Sequence, residues 1–130
     1  MLTPDQFRVN EAWIAVRIND EFLFVKEEPY DIYVLIDAAS CYVLGNVLSR
    51  VVDEAPYDKD IHDLFNTAWQ AKRQWAKTLI ITENLPADEI FSKHAQQNGL
   101  SIKKVSISDL EPILGPLKES FASNFMGGNT

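Results

Sequence analysis

The stretch DIYVLIDAASCYVLGNVLSRV, which runs from Asp31 to Val51, decides the fold of this chain. It opens with the unbroken apolar run Ile32 to Ile36, a pattern typical of a strand that is covered on both faces at the centre of a sheet. Asp37 can then bond its own backbone two residues on, which predicts a turn at Ala38 to Cys41. The apolar residues that follow predict a second strand, and Gly45 within it indicates a bulge or a close approach of another segment.

The composition fits a single domain of 130 residues with one hydrophobic core. Twelve basic against nineteen acidic residues give a net charge of −7, which argues against nucleic acid as a partner because such binding neutralises phosphates with Lys and Arg. The single cysteine, Cys41, excludes an intrachain disulfide and a cysteine metal cluster. We find neither a signal-peptide pattern nor an apolar run of about 18 residues, so we expect a cytoplasmic protein with no membrane contact.

Segments on both sides of the hairpin extend the predicted structure. Glu11 to Ile18 alternates two sets of side chains and predicts a half-buried strand. Glu21 to Glu27 predicts either a second strand or an extended connection. After the hairpin, Asp58 to Ala76 carries apolar residues at steps of three and four, which is typical of a helix with one buried face.

The second half of the chain alternates strands and helices. The expected elements are a buried strand at Thr78 to Thr82, a helix from Leu85 to Gly99, a strand from Leu100 to Ile107, and a last helix that carries Ile113 to Phe121. The pair Lys103-Lys104 favours an edge position for the second of these strands. Ser108 and Glu111 fit a capping box at the start of the last helix.

The order of elements is therefore β-β-β-α-β-α-β-α, with one extra short strand as an alternative. Short turns join the first three strands, so they are antiparallel, while the last two arrive through helices and join in parallel. This predicts an α/β fold with one mixed sheet of about five strands and helices on both faces. We expect it to form a single domain over residues 1–125, followed by a frayed tail from Met126 to Thr130.

This order of elements resembles the ribonuclease H-like fold. The segment from Ile32 to Ser49 is similar to the second and third strands of retroviral-type integrase and transposase catalytic cores. Those strands often carry a hydrophobic run, then an Asp, a Ser, an aromatic residue and a Gly, which correspond here to Asp37, Ser40, Tyr42 and Gly45. The part of the chain from Ile80 onwards also resembles uncharacterised bacterial domains of unknown function, which implies no mechanism.

Integrase-type enzymes hold two metal ions with carboxylates, and the resemblance implies where such groups would lie in this chain. The carboxylate of the first strand corresponds to Val16, which is apolar. The second corresponds to Glu83, and the third to Glu119 on the last helix, with Glu111 as the other choice. Because the first carboxylate bridges the metal pair, its absence implies a degenerate site with little Mg²⁺ binding.

A second alignment, with ribonuclease H proper, gives Asp37 a different role. If the first strand were Ile32 to Asp37, then Asp37 would supply the first carboxylate and would converge with Glu83 and either Glu119 or Glu111. The competing interpretation is that Asp37 forms the turn, that Glu111 belongs to its capping box and that Glu119 is a solvated helix residue.

The remaining reactive side chains do not form a recognisable motif. His62 and His94 lie on different predicted helices, and no Cys or Asp spacing joins them into a zinc site. We expect His62 to be exposed and His94 to be a partly buried structural residue. Cys41 has no basic neighbour in the sequence, so we expect a buried, unreactive thiol.

The sequence thus favours a non-catalytic ribonuclease H-like domain that acts in binding or interaction and has no cofactor. Its partner would be a protein, or a second copy that associates through apolar surface such as Phe22, Phe24 and Trp69. The alternative function is a residual Mg²⁺-dependent nuclease or phosphodiesterase that uses Asp37, Glu83 and Glu119.

Overall fold

A six-stranded mixed sheet forms the centre of the protein. The computed structural model describes residues 1–19, 23–53, 55–82 and 87–121. The strands are β1 (Ala12–Arg17), β2 (Leu23–Val25), β3 (Glu28–Asp37), β4 (Val43–Arg50), β5 (Thr78–Thr82) and β6 (Ser101–Val105). The helices are α1 (Asp58–Lys72), α2 (Asp88–Gln97) and α3 (Glu111–Phe121). Short 3₁₀ turns lie at Pro4–Gln6, Val51–Asp53 and Ile107–Leu110.

The pairing of the strands follows the predicted mixture of directions. β3 pairs antiparallel with β1, β2 and β4, whereas β1 pairs parallel with β5 and β5 with β6. At Tyr33, β3 lies between β4 and β1. At Tyr30, β3 lies between β4 and β2, so β1 and β2 are on the same side of β3. The order across the sheet is therefore β4-β3-β1-β5-β6, with β2 in line with β1. β2 is the extra short strand, and the predicted fold class is confirmed.

β1, rather than the hairpin, is the middle strand. The prediction that Glu11 to Ile18 is half-buried is wrong, because every side chain from Ala12 to Val16 is buried. Both of its alternating sets are apolar, and both meet helices. Burial instead alternates along β4, which pairs only with β3 in the described part of the chain. β6 forms the opposite edge of the sheet, as the pair Lys103-Lys104 predicts.

Two apolar cores fill the space between the sheet and its helices. On one face, Trp13 packs in a cluster with Phe65 of α1 and Phe91 of α2. On the other face, Ile14 packs in a cluster with Ile113 of α3. Burying one side chain of this kind stabilises a fold by about 1.5–3 kcal/mol, so both helical layers contribute to holding the sheet.

Gly45 lies where α1 comes close to β4. The β3–β4 register shifts between Leu35 and Ile36, which marks a bulge, and Gly45 pairs with Leu35 beside it. A Cβ atom on Gly45 would lie 2.7 Å from Cδ1 of the buried Leu64. The bulge that the sequence offered as one alternative is therefore present, and the close contact at Gly45 is with a side chain.

We expect Gly45→Val to destabilise the protein by about 1–3 kcal/mol, because the added side chain would overpack the contact with Leu64. Urea denaturation followed by circular dichroism measures the change. Gly115→Ala is the matched control, since it adds a methyl group within α3 beside the exposed Glu111. That variant should be more stable by up to about 1 kcal/mol, because Ala favours a helix over Gly. Equal losses in the two variants would contradict a specific contact at Gly45.

Two helix ends differ from the prediction. α1 ends at Lys72 rather than Ala76, because Arg73 adopts a left-handed backbone conformation with φ of 56° and donates its N–H to the carbonyl of Trp69. Glycine usually takes that conformation, so the sequence carried no signal for the stop. The predicted capping box is also wrong. Ser108 lies inside the 3₁₀ turn before α3, and its hydroxyl is 2.9 Å from that of Ser106.

Some predictions fall outside the described residues: the start of the strand at Glu21, the side chain of Phe22, Glu83, the helix start at Leu85, and the tail from Met126 to Thr130. Within the described ranges, no helix combines the length and the apolar character needed to cross a bilayer.

Candidate functional site

Val16 lies at the position where the integrase resemblance expects the first carboxylate. It is 1% exposed and pairs across the sheet with Val34. Both side chains belong to the core cluster that contains Ile113 of α3. The position is therefore part of an apolar layer and offers no ligand to a metal ion.

The carboxyl end of β5 is the place where the second carboxylate is expected. β5 runs parallel to β1 with Ile80 beside Ile14, so two further residues bring Thr82 level with Val16. Thr82 is 2% exposed, and its hydroxyl oxygen has no hydrogen-bond partner in the described structure. Glu83 follows directly but lies outside the described residues, so its side chain is not placed.

Asp37 is a structural residue that closes the hairpin turn. It is fully buried. One carboxylate oxygen accepts the backbone N–H of Asn10 at 2.7 Å, and the other accepts the backbone N–H of Ser40 at 2.9 Å and its hydroxyl at 2.7 Å. The turn closes further where the N–H of Cys41 donates to the Asp37 carbonyl at 2.8 Å. This arrangement matches the turn-former interpretation.

Asp37 also lies at the opposite end of the sheet from the carboxyl end of β5. It pairs with Trp13 near the start of β1, and Trp13 in turn lies beside Leu79 of β5. Thr82 is three residues further along β5, which corresponds to about 10 Å along the strand direction, and β1 lies between β3 and β5. The alignment that makes Ile32 to Asp37 the first strand is therefore wrong, because β3 does not pair with β5.

The two glutamates proposed for the last helix are both exposed. Glu111 is the first residue of α3, and Glu119 lies near its end. Among the described residues, no group of three or more His, Cys, Asp and Glu side chains is arranged to hold a metal ion. A two-metal site of the integrase type therefore does not fit this donor set, since its first ligand is a buried valine and Asp37 is held in the turn.

Comparisons with known proteins identify the fold. No family model matches the sequence, and no curated protein matches it at a significant level. A chain of the simian T-cell lymphotropic virus intasome in complex with PP2A regulatory subunit B56 gamma aligns with 99% of this chain at a TM-score of 0.59 and 16% identity. The HTLV-2 integrase catalytic core domain in complex with magnesium (dimeric form) aligns with 92% of it at a TM-score of 0.58 and 12% identity. The fold is ribonuclease H-like.

The similarity extends over almost all of this ribonuclease H-like chain. The chain spans 44% of the first of these matched chains and 72% of the second. At such low identity the likeness concerns the fold alone. It confirms the resemblance that the order of strands and helices implied, while the chemistry of the site depends on the residues described above.

Asn10 is a buried residue before β1 that bonds to Asp37 and that the sequence did not single out. Its backbone has φ of 63°, and its side-chain oxygen accepts the indole N–H of Trp13 at 2.7 Å. The indole N–H can only donate, so the amide nitrogen faces the other way, and it has no partner in the described structure. Asn adopts a positive φ more readily than most residues, and this preference is the one feature of the sequence that indicated a special role for this position.

A second missed contact joins the first turn of α1 to α2. His94 is 3% exposed, and its Nε2 lies 3.0 Å from Oδ1 of Asp58. Lys93 also donates to that oxygen, at 2.7 Å. The hydrogen bond from Lys93 lowers the pKa of Asp58 the most, and the hydrogen bond with His94 lowers it further. His94 is thus more deeply buried than predicted, and His62 is exposed as expected.

We expect the contribution of Asp58 to stability to depend on pH. Its pKa in the folded state lies below the ordinary value of 3.8, so the stabilisation is fully present above that pH and is lost as the pH falls through the lowered pKa. Asp58→Asn should therefore be less stable than the original protein at neutral pH and should approach it in acid. Urea denaturation across this pH range tests the difference. Asp63→Asn, which removes a carboxylate of the same helix with no ion pair in the described structure, is the control, and equal pH profiles of the two variants would contradict a specific role of Asp58.

Cys41 follows the turn and is half-buried. Burial, and to a smaller extent the nearby Asp37 carboxylate, raise the pKa of its thiol. A raised pKa lowers the fraction of reactive thiolate, although the side chain is less buried than the sequence predicted.

Two surface grooves flank β4. The apolar groove, of about 390 Å³, lies between the end of α3 and the face of β3 and β4 on which α3 packs, and its lining includes Leu48, Leu117 and Phe121. The edge groove, of about 440 Å³, lies between β4 and α1 and includes Asp60 and Asp63. Phe24, one of the residues predicted for self-association, is 64% exposed, whereas Trp69 is half-buried against Trp75.

Proposed function

We propose that this chain is a non-catalytic ribonuclease H-like domain that acts by binding another protein. The observation that carries the proposal is Val16, a fully apolar and 1% exposed residue at the position of the first carboxylate. Two-metal phosphoryl transfer requires ligands that stabilise the attacking and leaving oxygens together. A valine supplies none, and both Val16 and its cross-strand partner Val34 are buried in an apolar cluster.

The state of Asp37 supports the same proposal. Its two oxygens already accept three hydrogen bonds inside the protein. Binding a metal ion would require breaking bonds that close the hairpin. A phosphodiesterase built on Asp37, Glu83 and Glu119 would need its carboxylates within reach of metal ions about 3.5–4 Å apart. Asp37 is displaced from the end of β5 by too great a distance for that.

A protein partner fits the surface better than nucleic acid does. The net charge of −7 opposes the approach of phosphates. β4 exposes Val43 and Leu48 beside the apolar groove, and an exposed apolar patch of this kind is typical of protein interaction sites.

Thermal melting in a titration with Mg²⁺ and Mn²⁺ tests the non-catalytic part of the proposal. Binding to the folded state raises stability by about 2.7 kcal/mol at a hundredfold excess over the dissociation constant. We expect no rise in melting temperature for the original protein and none for Glu83→Gln. A clear rise that is lost in Glu83→Gln would contradict the proposal and favour a residual metal-dependent enzyme.

A further inference from the structure

The edge groove runs along the backbone of β4. Four consecutive residues line it, from Gly45 to Leu48. Successive side chains of a strand point to opposite faces of the sheet, so a groove that touches all four must follow the strand edge itself. Its other wall is α1, which contributes Asp60 and Asp63.

This edge lacks the protection that the other edge of the sheet has. β4 pairs only with β3 among the described residues, and its one charged residue is Arg50 at its end, which forms an ion pair with Glu28. β6, at the far edge, exposes Lys103 and Lys104. Proteins commonly place such charges on edge strands to prevent pairing with other chains. Within the described residues, the edge of β4 is therefore open to an added strand, whereas that of β6 carries two exposed lysines.

The negative charge of the edge groove favours a binding partner with basic side chains. Asp60 and Asp63 form no ion pair within the described part of the chain, although Asp58 in the same helix is paired with Lys93 and His94. Two free carboxylates along one wall favour Lys or Arg side chains. On the other face of β4, Val43 and Leu48 are 41% and 48% exposed and offer apolar contacts.

We propose that the edge of β4 binds an extended basic segment of a partner protein, which adds to the sheet as a further strand. In such strand addition the backbone bonds supply affinity and alternate side chains supply specificity. The segment would alternate basic residues, facing Asp60 and Asp63, with apolar residues, facing Val43 and Leu48. This inference rests on the proposed binding function and names its surface and the class of its partner.

A second copy of this chain is the other candidate strand, and charge opposes it. In a symmetric pairing of two β4 edges, both copies would bring the same Asp60 and Asp63 carboxylates to the junction. Each copy also carries a net charge of −7. Like charges placed together across an interface disfavour association.

The test uses a short, end-capped peptide of alternating Lys and Val, labelled for fluorescence anisotropy. We expect it to bind and to increase the hydrogen-exchange protection of the amides from Gly45 to Leu48. The same peptide with alternate backbone amides N-methylated should not bind, since it cannot complete the strand pairing. A peptide of alternating Glu and Val should not bind either.

Two double variants separate local charge from net charge. Asp60→Asn with Asp63→Asn should weaken binding of the Lys-Val peptide by about fivefold to tenfold, in line with exposed ion pairs. Glu111→Gln with Glu119→Gln changes the net charge equally, but on α3 at the other face of the sheet, and should leave the affinity unchanged. Equal effects of the two double variants would overturn the proposal.

Three further results would also overturn it: no binding of the Lys-Val peptide, protection that appears outside β4, or a peptide-free dimer whose β4 amides are already protected. None of them requires metal binding or nuclease activity. If the Lys-Val peptide does not bind, the proposed binding surface on β4 is wrong, but the non-catalytic assignment is unaffected. Metal-dependent cleavage of nucleic acid would contradict the non-catalytic assignment itself.

Discussion

Asp37→Ala is expected to destabilise the protein by about 2–4 kcal/mol. The carboxylate is fully buried and accepts three hydrogen bonds. Without it, the exposed Ser40 can turn to water, but the N–H of the buried Asn10 is left without an acceptor. A buried N–H without an acceptor lowers the free energy of unfolding by about 1–3 kcal/mol, and the loss of hydrogen bonds to a charged group lowers it further. Urea denaturation at neutral pH measures the effect.

Two further variants separate the contributions to this loss of stability. Ser40→Ala removes only the hydroxyl donor and should cost about 1 kcal/mol or less. Asp37→Asn keeps the size of the side chain and one acceptor oxygen, so its cost should fall between the other two. A neutral or stabilising Asp37→Ala would show that the carboxylate does not hold the turn. That result would be typical of a residue kept for chemistry at the expense of stability.

Trp13→Ala should cost about 3–5 kcal/mol, the range for removing a large aromatic side chain from a core. Trp13 is fully buried in the middle strand, and its ring centroid lies 6.0 Å from that of Trp75 in an edge-on contact. Its indole N–H also satisfies the oxygen of Asn10. The substitution therefore opens a cavity and breaks the hydrogen-bond network of Asp37 at once. Denaturant unfolding followed by circular dichroism is the measurement.

Trp13→Phe isolates the polar part of this effect. It retains most of the packing but leaves the oxygen of Asn10 without its donor, so we expect a loss of about 1–3 kcal/mol. Trp75→Phe, at a half-buried ring with no such bond to Asn10, should cost less. If Trp13→Phe proved as mild as Trp75→Phe, the network around Asn10 would not contribute to stability.

Local patterns in the sequence predicted most of the fold. The apolar run before Asp37 and the small residues after it indicated the hairpin and its turn, and the lysine pair indicated that the strand of Lys103 lies at an edge. Gly45 indicated a bulge or a close backbone approach, and the bulge is present beside it. Each of these features depends on neighbouring residues, which is the information that a single sequence carries best.

What the sequence did not predict depends on contacts between distant segments. The burial of both faces of β1 follows from helices that lie far along the chain. The bonds of Asp37 to Asn10 and of Asp58 to His94 join residues 27 and 36 positions apart. The stop of α1 at Arg73 uses a backbone conformation for which arginine has no preference. The site was harder still, because an Asp in a sequence can serve a turn or a metal ion, and although the neighbours of Asp37 favoured the turn, only its hydrogen-bond partners distinguish the two roles.

We propose that this ribonuclease H-like domain does not cut nucleic acid. The most direct test is a nuclease assay of the purified protein in Mn²⁺ and Mg²⁺, on single-stranded DNA, duplex DNA and an RNA–DNA hybrid, beside Glu83→Gln. We expect no cleavage above the level of the Glu83→Gln protein, because Val16 replaces the first carboxylate and Asp37 is held in the hairpin turn. Metal-dependent cleavage by the original protein that Glu83→Gln abolishes would contradict the account.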